Sequence, residues 1–201
     1  MIEIVIFDLG RVLIEVDVNR CLAQFSEAFN VTVQEVIGDK NNGAHTDFMV
    51  GKITGEEFHQ LTCERFGRHI DIEAFRNVWL SMLGQPKRGT IAVVAELLKG
   101  KVPVALLSNV DPWHFSQCEK IIPEIQKIKK RYLSYQIKIK KPDLQIYRYV
   151  VDDLKIPAEK CLFVDDLLEN VEAAKEVGIK TIHFEDSQQL VTELERYDIL
   201  V

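Results

Sequence analysis

Four short polar stretches carry the residues whose types and spacing suit chemistry. Asp8, in Ile6-Phe7-Asp8-Leu9-Gly10, follows directly on the β-branched and aromatic run Ile2 to Phe7. A carboxylate there is costly to desolvate unless a cation meets it, which suits a nucleophile or a metal ligand; a turn or helix-capping Asp fits the same spot. Leu106-Leu107-Ser108-Asn109 ends another apolar run in a hydroxyl and an amide. Such groups bind the oxygens of an anion, or simply cap a helix. In Lys140-Lys141-Pro142-Asp143 the proline holds Lys141 extended and can open the next helix, although an isolated lysine is usually solvated surface. Finally, Phe163-Val164-Asp165-Asp166 sets two acids side by side, with Asn170 four residues beyond Asp166. A hard cation relieves their repulsion; one helix cap needs one Asp, so the pair points to metal more than to capping.

Together these stretches say more than each does alone. A nucleophilic carboxylate, a hydroxyl and amide for phosphate oxygens, a neutralising lysine and an acidic pair for Mg2+ are the requirements of phosphoryl transfer through an aspartyl phosphate.

The elements that must position them can be read from hydrophobic periodicity. Buried-strand patterns occur at Ile2 to Phe7, Val102 to Leu107, Arg131 to Gln136, Cys161 to Val164 and Lys180 to Phe184. Helical spacing occupies Lys87 to Leu98, Leu144 to Leu154 and Glu169 to Val177, with Gly100 and Gly178 placed as C-caps. Alternating strands and helices predict an α/β fold: a Rossmann-like three-layer core with a parallel sheet. Residues 15–85 break the alternation. There the pattern is helical with no strand (Asn19 to Phe29, Thr54 to Phe66, Asp71 to Leu83), Thr54 with Glu57 forms a capping box, and Asp71 caps the third helix. The division expected is a core of residues 1–14 and 86–201 with an inserted α-helical cap domain at 15–85. The insert leaves the sheet at the C-terminal end of its first strand, where open parallel sheets bind ligands, so it is placed to act as a lid.

Composition removes several classes of function. The 201 residues hold 25 Lys+Arg and 31 Asp+Glu, a net charge of -6, which argues against a nucleic-acid or anionic-membrane binder. Seven of the basic residues crowd into Lys127 to Lys141 without an acid; a Lys-guarded sheet edge accounts for them better than a polyanion site. No apolar stretch is long enough to span a bilayer, and the opening lacks the positive flank of a signal peptide. A cytoplasmic location is expected, with Cys21, Cys63, Cys118 and Cys161 reduced and too dispersed for a zinc cluster. No heptad pattern is present, so a monomer or a homodimer is expected.

The ordered set Phe7-Asp8-Leu9-Gly10, Leu107-Ser108-Asn109, Lys141-Pro142-Asp143 and Val164-Asp165-Asp166 resembles the four motifs of the haloacid dehalogenase-like (HAD) hydrolase superfamily, mostly Mg2+-dependent phosphatases. Within it, the sequence is similar to the helical-cap branch that includes alpha-D-glucose-1-phosphate phosphatase and the phosphatase domain of soluble epoxide hydrolase. The resemblance implies a phosphatase acting on a small phosphorylated metabolite, sugar phosphates among them. It implies Asp8 as nucleophile and Mg2+ ligand, the Gly10 carbonyl as a second ligand, and Asp166 as the direct ligand of the acidic pair, with Asp165 and Asn170 in support. Ser108 and Asn109 would bind the phosphoryl group, and Lys141 would keep Asp8 ionised. Substrate choice resides in the cap and the loop leading to it, which makes Asp17, Asn19, Arg20 and His45 candidates for contact with the rest of the substrate.

Two departures from the family pattern bear on function. Most family phosphatases carry an acid/base Asp two residues after the nucleophile, where this chain has Gly10. That assistance is typically worth about 10² to 10⁴-fold for a leaving group that needs a proton, so stable leaving groups such as sugar 1-phosphates should suffer least. A weak phosphate-binding or protein-interaction module is the alternative that Gly10 leaves open, and His45 is the one candidate for a substitute acid. The other departure is Lys138, three residues before Lys141, where a glycine is common.

Overall fold

The computed structural model describes residues 1–38, 43–100 and 102–199. Strand β1 (Ile4–Phe7) is buried on both faces, as its unbroken apolar run requires. Past Asp8 the chain turns into β2 (Ile14–Val16) and then into five helices: α1 (Val18–Phe29), α2 (Val33–Gly38), α3 (Ala44–Met49), α4 (Gly55–Phe66) and α5 (Ile72–Leu80). It returns through β3 (Leu83–Pro86), which pairs antiparallel with β2. This ribbon corrects the expectation of no strand in residues 15–85. Three- and four-residue strands with mixed burial are too short for a period-two pattern to show.

The remainder alternates as expected: α6 (Arg88–Leu97), β4 (Val104–Ser108), α7 (Pro112–Ile121), α8 (Glu124–Lys127), β5 (Lys130–Leu133), α9 (Ser134–Ile137), α10 (Leu144–Leu154), β6 (Cys161–Asp165), α11 (Leu168–Glu176), β7 (Lys180–His183) and α12 (Ser187–Arg196). The third strand is shorter than its pattern. It gives way at Ser134 to α9, where the Ser134 hydroxyl accepts from the Val110 amide and meets the Met49 and Val110 carbonyls.

β1, β4, β5, β6 and β7 form one parallel sheet in the order β5-β4-β1-β6-β7. Alternate residues feed two separate cores. Val5, Phe7, Leu106 and Val164 pack under α6, α7 and α12, whereas Ile6, Leu107 and Phe163 pack under α10 and α11. Helix, sheet and helix layers follow. The insert has a third core of its own, in which Phe25, Phe29, Phe48, Phe58, Phe75 and Trp79 meet largely edge to face. Thr54 and Glu57 form the reciprocal capping box, and Asp71 accepts from the Glu73 and Ala74 amides.

The basic stretch behaves as a guarded edge. β5 ends the sheet, Lys130 and Arg131 pair with Asp153 and Glu119, and Lys141 turns inward. All four cysteines are free and buried. No helix among the described residues is long and apolar enough to cross a membrane.

Candidate active site

A parallel sheet presents the C-terminal ends of its strands on one rim, and three of the four stretches sit there. Asp8 follows β1, Ser108 closes β4, and Asp165 closes β6. Register places them side by side, since Phe7 lies opposite Leu106 on one flank and Val164 on the other. Lys141 reaches the same point from the loop between α9 and α10. Its backbone is clamped to the end of β4 by a reciprocal pair: Asn109 Nδ2 donates to the Lys141 carbonyl and the Lys141 amide donates to Asn109 Oδ1, both at 2.8 Å.

The buried Lys141 ammonium lies 2.8 Å from Asp8 Oδ1 and 2.6 Å from Asp165 Oδ2. Burial alone would lower the lysine, but Asp8 and Asp165 outweigh it and hold it above the usual range. Burial pushes the Asp8 carboxyl up to about 6 against the pull of Lys141, with Asp165 adding to the rise. Asp165 is fully enclosed, and its other contacts are the Leu167 amide (2.9 Å) and Asn170 Nδ2 (3.0 and 3.1 Å). Asp166 behaves differently. It is partly open to the cleft, faces Arg11 Nη1 at 3.6 Å, and is raised by burial and then by Asp165. Oxygens of Asp8, Asp165 and Asp166 all lie within 4.8 Å of one another.

Asp8, Arg11, Lys141 and Asp166 line a cleft of about 200 Å³ together with Gly10, Ser108, Asn109, Asn170 and, from the insert, His45 and Trp79. His45 stands edge-on to Trp79, and burial lowers its basicity. Asn109 lines the cleft, but its amide is occupied by Lys141, which leaves one N–H for a ligand. Arg20 is not among the cleft-lining residues. Its guanidinium donates to the Ser81 and Leu83 carbonyls at 2.5 Å, stapling α1 to the start of β3. Asp17 caps α1, and Asn19 is exposed on it.

Two features escaped the sequence reading. Lys138 adopts the left-handed conformation (φ 67°), which is why a glycine is at home there, and its ammonium bonds the Gly51 carbonyl of the insert. Asp111, the N-cap of α7, also accepts from Trp79 Nε1 (3.0 Å), and its carboxylate lies 2.5 Å from His114 Nδ1, while His114 Nε2 lies 3.0 Å from the Trp79 carbonyl. Although burial works against it, His114 holds the Asp111 carboxyl below its ordinary value. With Ser134 Oγ on the Met49 carbonyl, these contacts brace insert to core beside the cleft. Asp111→Ala should cost about 2–4 kcal/mol, combining a lost cap with two stranded buried donors, as read by urea denaturation. Away from the cleft, His59, Cys63 and His69 also gather ligand atoms within 4.8 Å, although His59 Nε2 is already bonded to the Ile70 carbonyl.

Comparison with known proteins agrees with this geometry. The chain is 27% identical to D-ribitol-5-phosphate phosphatase of Bacteroides thetaiotaomicron, with 96% of this chain and 97% of that protein aligned. It is 29% identical to a sesquiterpene phosphatase of Aspergillus oryzae, with 94% and 93% covered. A HAD family enzyme of B. thetaiotaomicron, solved in complex with magnesium and inorganic phosphate, superposes with a TM-score of 0.85 at 28% identity, covering 92% of this chain and 96% of that one. The family model for haloacid dehalogenase-like hydrolases matches residues 2–178, and the chain belongs to that family.

Proposed function

We propose that the protein is a Mg2+-dependent phosphatase that hydrolyses a small phosphorylated metabolite through an aspartyl phosphate on Asp8. One observation carries this reading: the Asp8 carboxylate sits at the floor of the cleft, held by Lys141 on one side and within 4.8 Å of the Asp166 carboxylate on the other.

The donor set fits a hard cation. Asp165 is saturated by Lys141, Asn170 and the Leu167 amide, so Asp8 and Asp166 supply the available charged oxygens. Asn170 Oδ1 is buried without a partner and lines the same cleft, as an acceptor for a metal-bound water would. Asp8, Asp166 and the Gly10 carbonyl would hold Mg2+, with Asp165 and Asn170 behind them. When bound, the ion neutralises phosphate oxygens and stabilises the charge of the transferring group.

The chain's own residues do the rest. Lys141 keeps Asp8 ionised by occupying Oδ1, and the other oxygen attacks phosphorus. The bond to the leaving oxygen breaks with its electron pair, and that oxygen takes a proton from water. Ser108 and the remaining Asn109 N–H hold the phosphoryl oxygens. Water then attacks the aspartyl phosphate, releasing inorganic phosphate and restoring the carboxylate. The insert acts as a cap that excludes bulk water during the first step.

Mg2+ must displace the proton that burial favours on Asp8. Because that carboxyl is raised to about 6, Mg2+ affinity should be flat above pH 7 and fall about tenfold per unit well below 6, as titration calorimetry at pH 5, 6 and 7.5 would show. An affinity independent of pH would remove Asp8 from the metal site.

Gly10 sets the second expectation. A Cβ built there comes no nearer than 3.4 Å to Val16 Cγ2, so an acid can be accommodated. Gly10→Asp should raise turnover of alkyl phosphates by about 10² to 10⁴-fold and change nitrophenyl phosphate little. A panel of phosphate esters, with and without Mg2+, tests the reading as a whole. No turnover alongside intact Mg2+ binding would favour the phosphate-binding module instead.

A further inference from the structure

The relatives' named substrates run from a polyol phosphate to a sesquiterpene phosphate, so likeness alone leaves the leaving group open. The insert holds a second cavity, of about 370 Å³, among α1 to α5. No charged side chain lines it among the described residues, and its walls include the rings of Phe25, Phe58, Phe66 and Trp79. Of its polar side chains, the Thr62 hydroxyl donates to the Phe58 carbonyl, Cys21 Sγ contacts the Val78 and Trp79 carbonyls, and Trp79 Nε1 donates to Asp111, which leaves the Thr46 hydroxyl and the His45 ring. The catalytic cleft, by contrast, is lined by Asp8, Arg11, Asp111, Lys141 and Asp166. His45, Trp79 and Met82 line both spaces, so the apolar chamber adjoins the cleft that holds Asp8 across a shared wall of side chains. One of these is an unbranched, adaptable methionine.

Protein interiors are close-packed, and voids larger than a water molecule are few. An aromatic-walled chamber of this size is within the range of ligand pockets. Hydroxyl groups placed in it would lose water and find few partners. We infer that the chamber receives the body of the leaving group, and that the substrate is the phosphate monoester of an apolar alcohol, not of a polyhydroxylated sugar. The inference rests on the phosphatase reading. Gly10 adds a further condition: with no acid at that position, the alcohol oxygen must leave without a proton, which favours aryl and other stabilised oxygens over simple alkyl ones.

The test is a series of 4-alkylphenyl phosphates, whose chemistry is nearly constant while apolar length grows, run beside a sugar 1-phosphate. kcat/KM should climb about fourfold per added methylene until the chamber is filled, then level off, and the sugar ester should fall below the whole series. Affinities for n-alkylphosphonates, which are not turned over, should follow the same climb, their dissociation constants falling in step. Ile37→Asp, at the exposed rim of the chamber, should flatten both trends while the protein remains folded by circular dichroism. A flat series in the parent, or preference for the sugar ester, overturns the apolar assignment while leaving a phosphatase. Phosphonate affinities that climb with no ester hydrolysed would keep the chamber and overturn the phosphatase.

Discussion

Asp8→Asn abolishes turnover, with kcat reduced on the order of 10⁵- to 10⁶-fold, the scale seen when a covalent nucleophile is removed. The amide keeps the shape of the side chain but has no anionic oxygen to attack phosphorus. Folding should not suffer. In the parent, burial raises the Asp8 carboxyl to about 6, above its ordinary value of 3.8. The folded state therefore holds that proton more tightly than the unfolded chain does, and keeping the group ionised works against folding above pH 6. This penalty fades as pH falls from 6 toward 4. Without metal at pH 7.5, Asp8→Asn should consequently be as stable as the parent or more stable, by up to about 3 kcal/mol, with the difference closing toward pH 4. Acid-quenched reactions with labelled phosphate ester should trap phosphate on the peptide containing Asp8 in the parent and none in the variant. An inactive variant that is also unfolded, or an active one, would contradict the assignment.

Lys141→Met is the second large effect, and it falls on stability and activity together. The ammonium is the cation that faces both Asp8 and Asp165 inside the fold, so its loss leaves two buried carboxylates confronting each other. Breaking a buried pair by removing one partner costs about 3–5 kcal/mol, and kcat should drop about 10³- to 10⁵-fold, as for loss of a cation that neutralises a transferring phosphoryl group. The stability loss should shrink when Mg2+ is added, because a divalent ion at Asp8 and Asp166 supplies part of the missing positive charge. Denaturation curves with EDTA and with excess Mg2+ separate the two contributions; equal losses in both would show that lysine and metal do not share the carboxylate.

The sheet and the candidate site on its rim were legible because their signals are local and strong. Strands buried on both faces read as unbroken apolar runs, and the carboxylates and hydroxyl that end them need no tertiary knowledge to be noticed. What stayed hidden depended on partners distant in sequence. Arg20, on the first helix of the insert, was a candidate substrate contact; its fork closes on the carbonyls of Ser81 and Leu83, more than sixty residues away. Asp111 drew no notice in the sequence, because its contacts with Trp79 and His114 join insert to core, which periodicity treats separately. Asn109 lies on the rim; that its amide clamps the Lys141 backbone follows only from the approach of the α9–α10 loop. The β2–β3 ribbon was missed because each strand is shorter than the pattern that announces one.

The most direct measurement is an anomalous diffraction map from crystals grown with Mn2+ in place of Mg2+. A single strong peak should lie between the Asp8 and Asp166 carboxylates, within bonding distance of both and beside the Gly10 carbonyl, and it should weaken or vanish in crystals of Asp166→Ala. A peak bound by only one of the two acids, or found at another place on the molecule, would contradict a shared ion and the phosphoryl-transfer chemistry built on it.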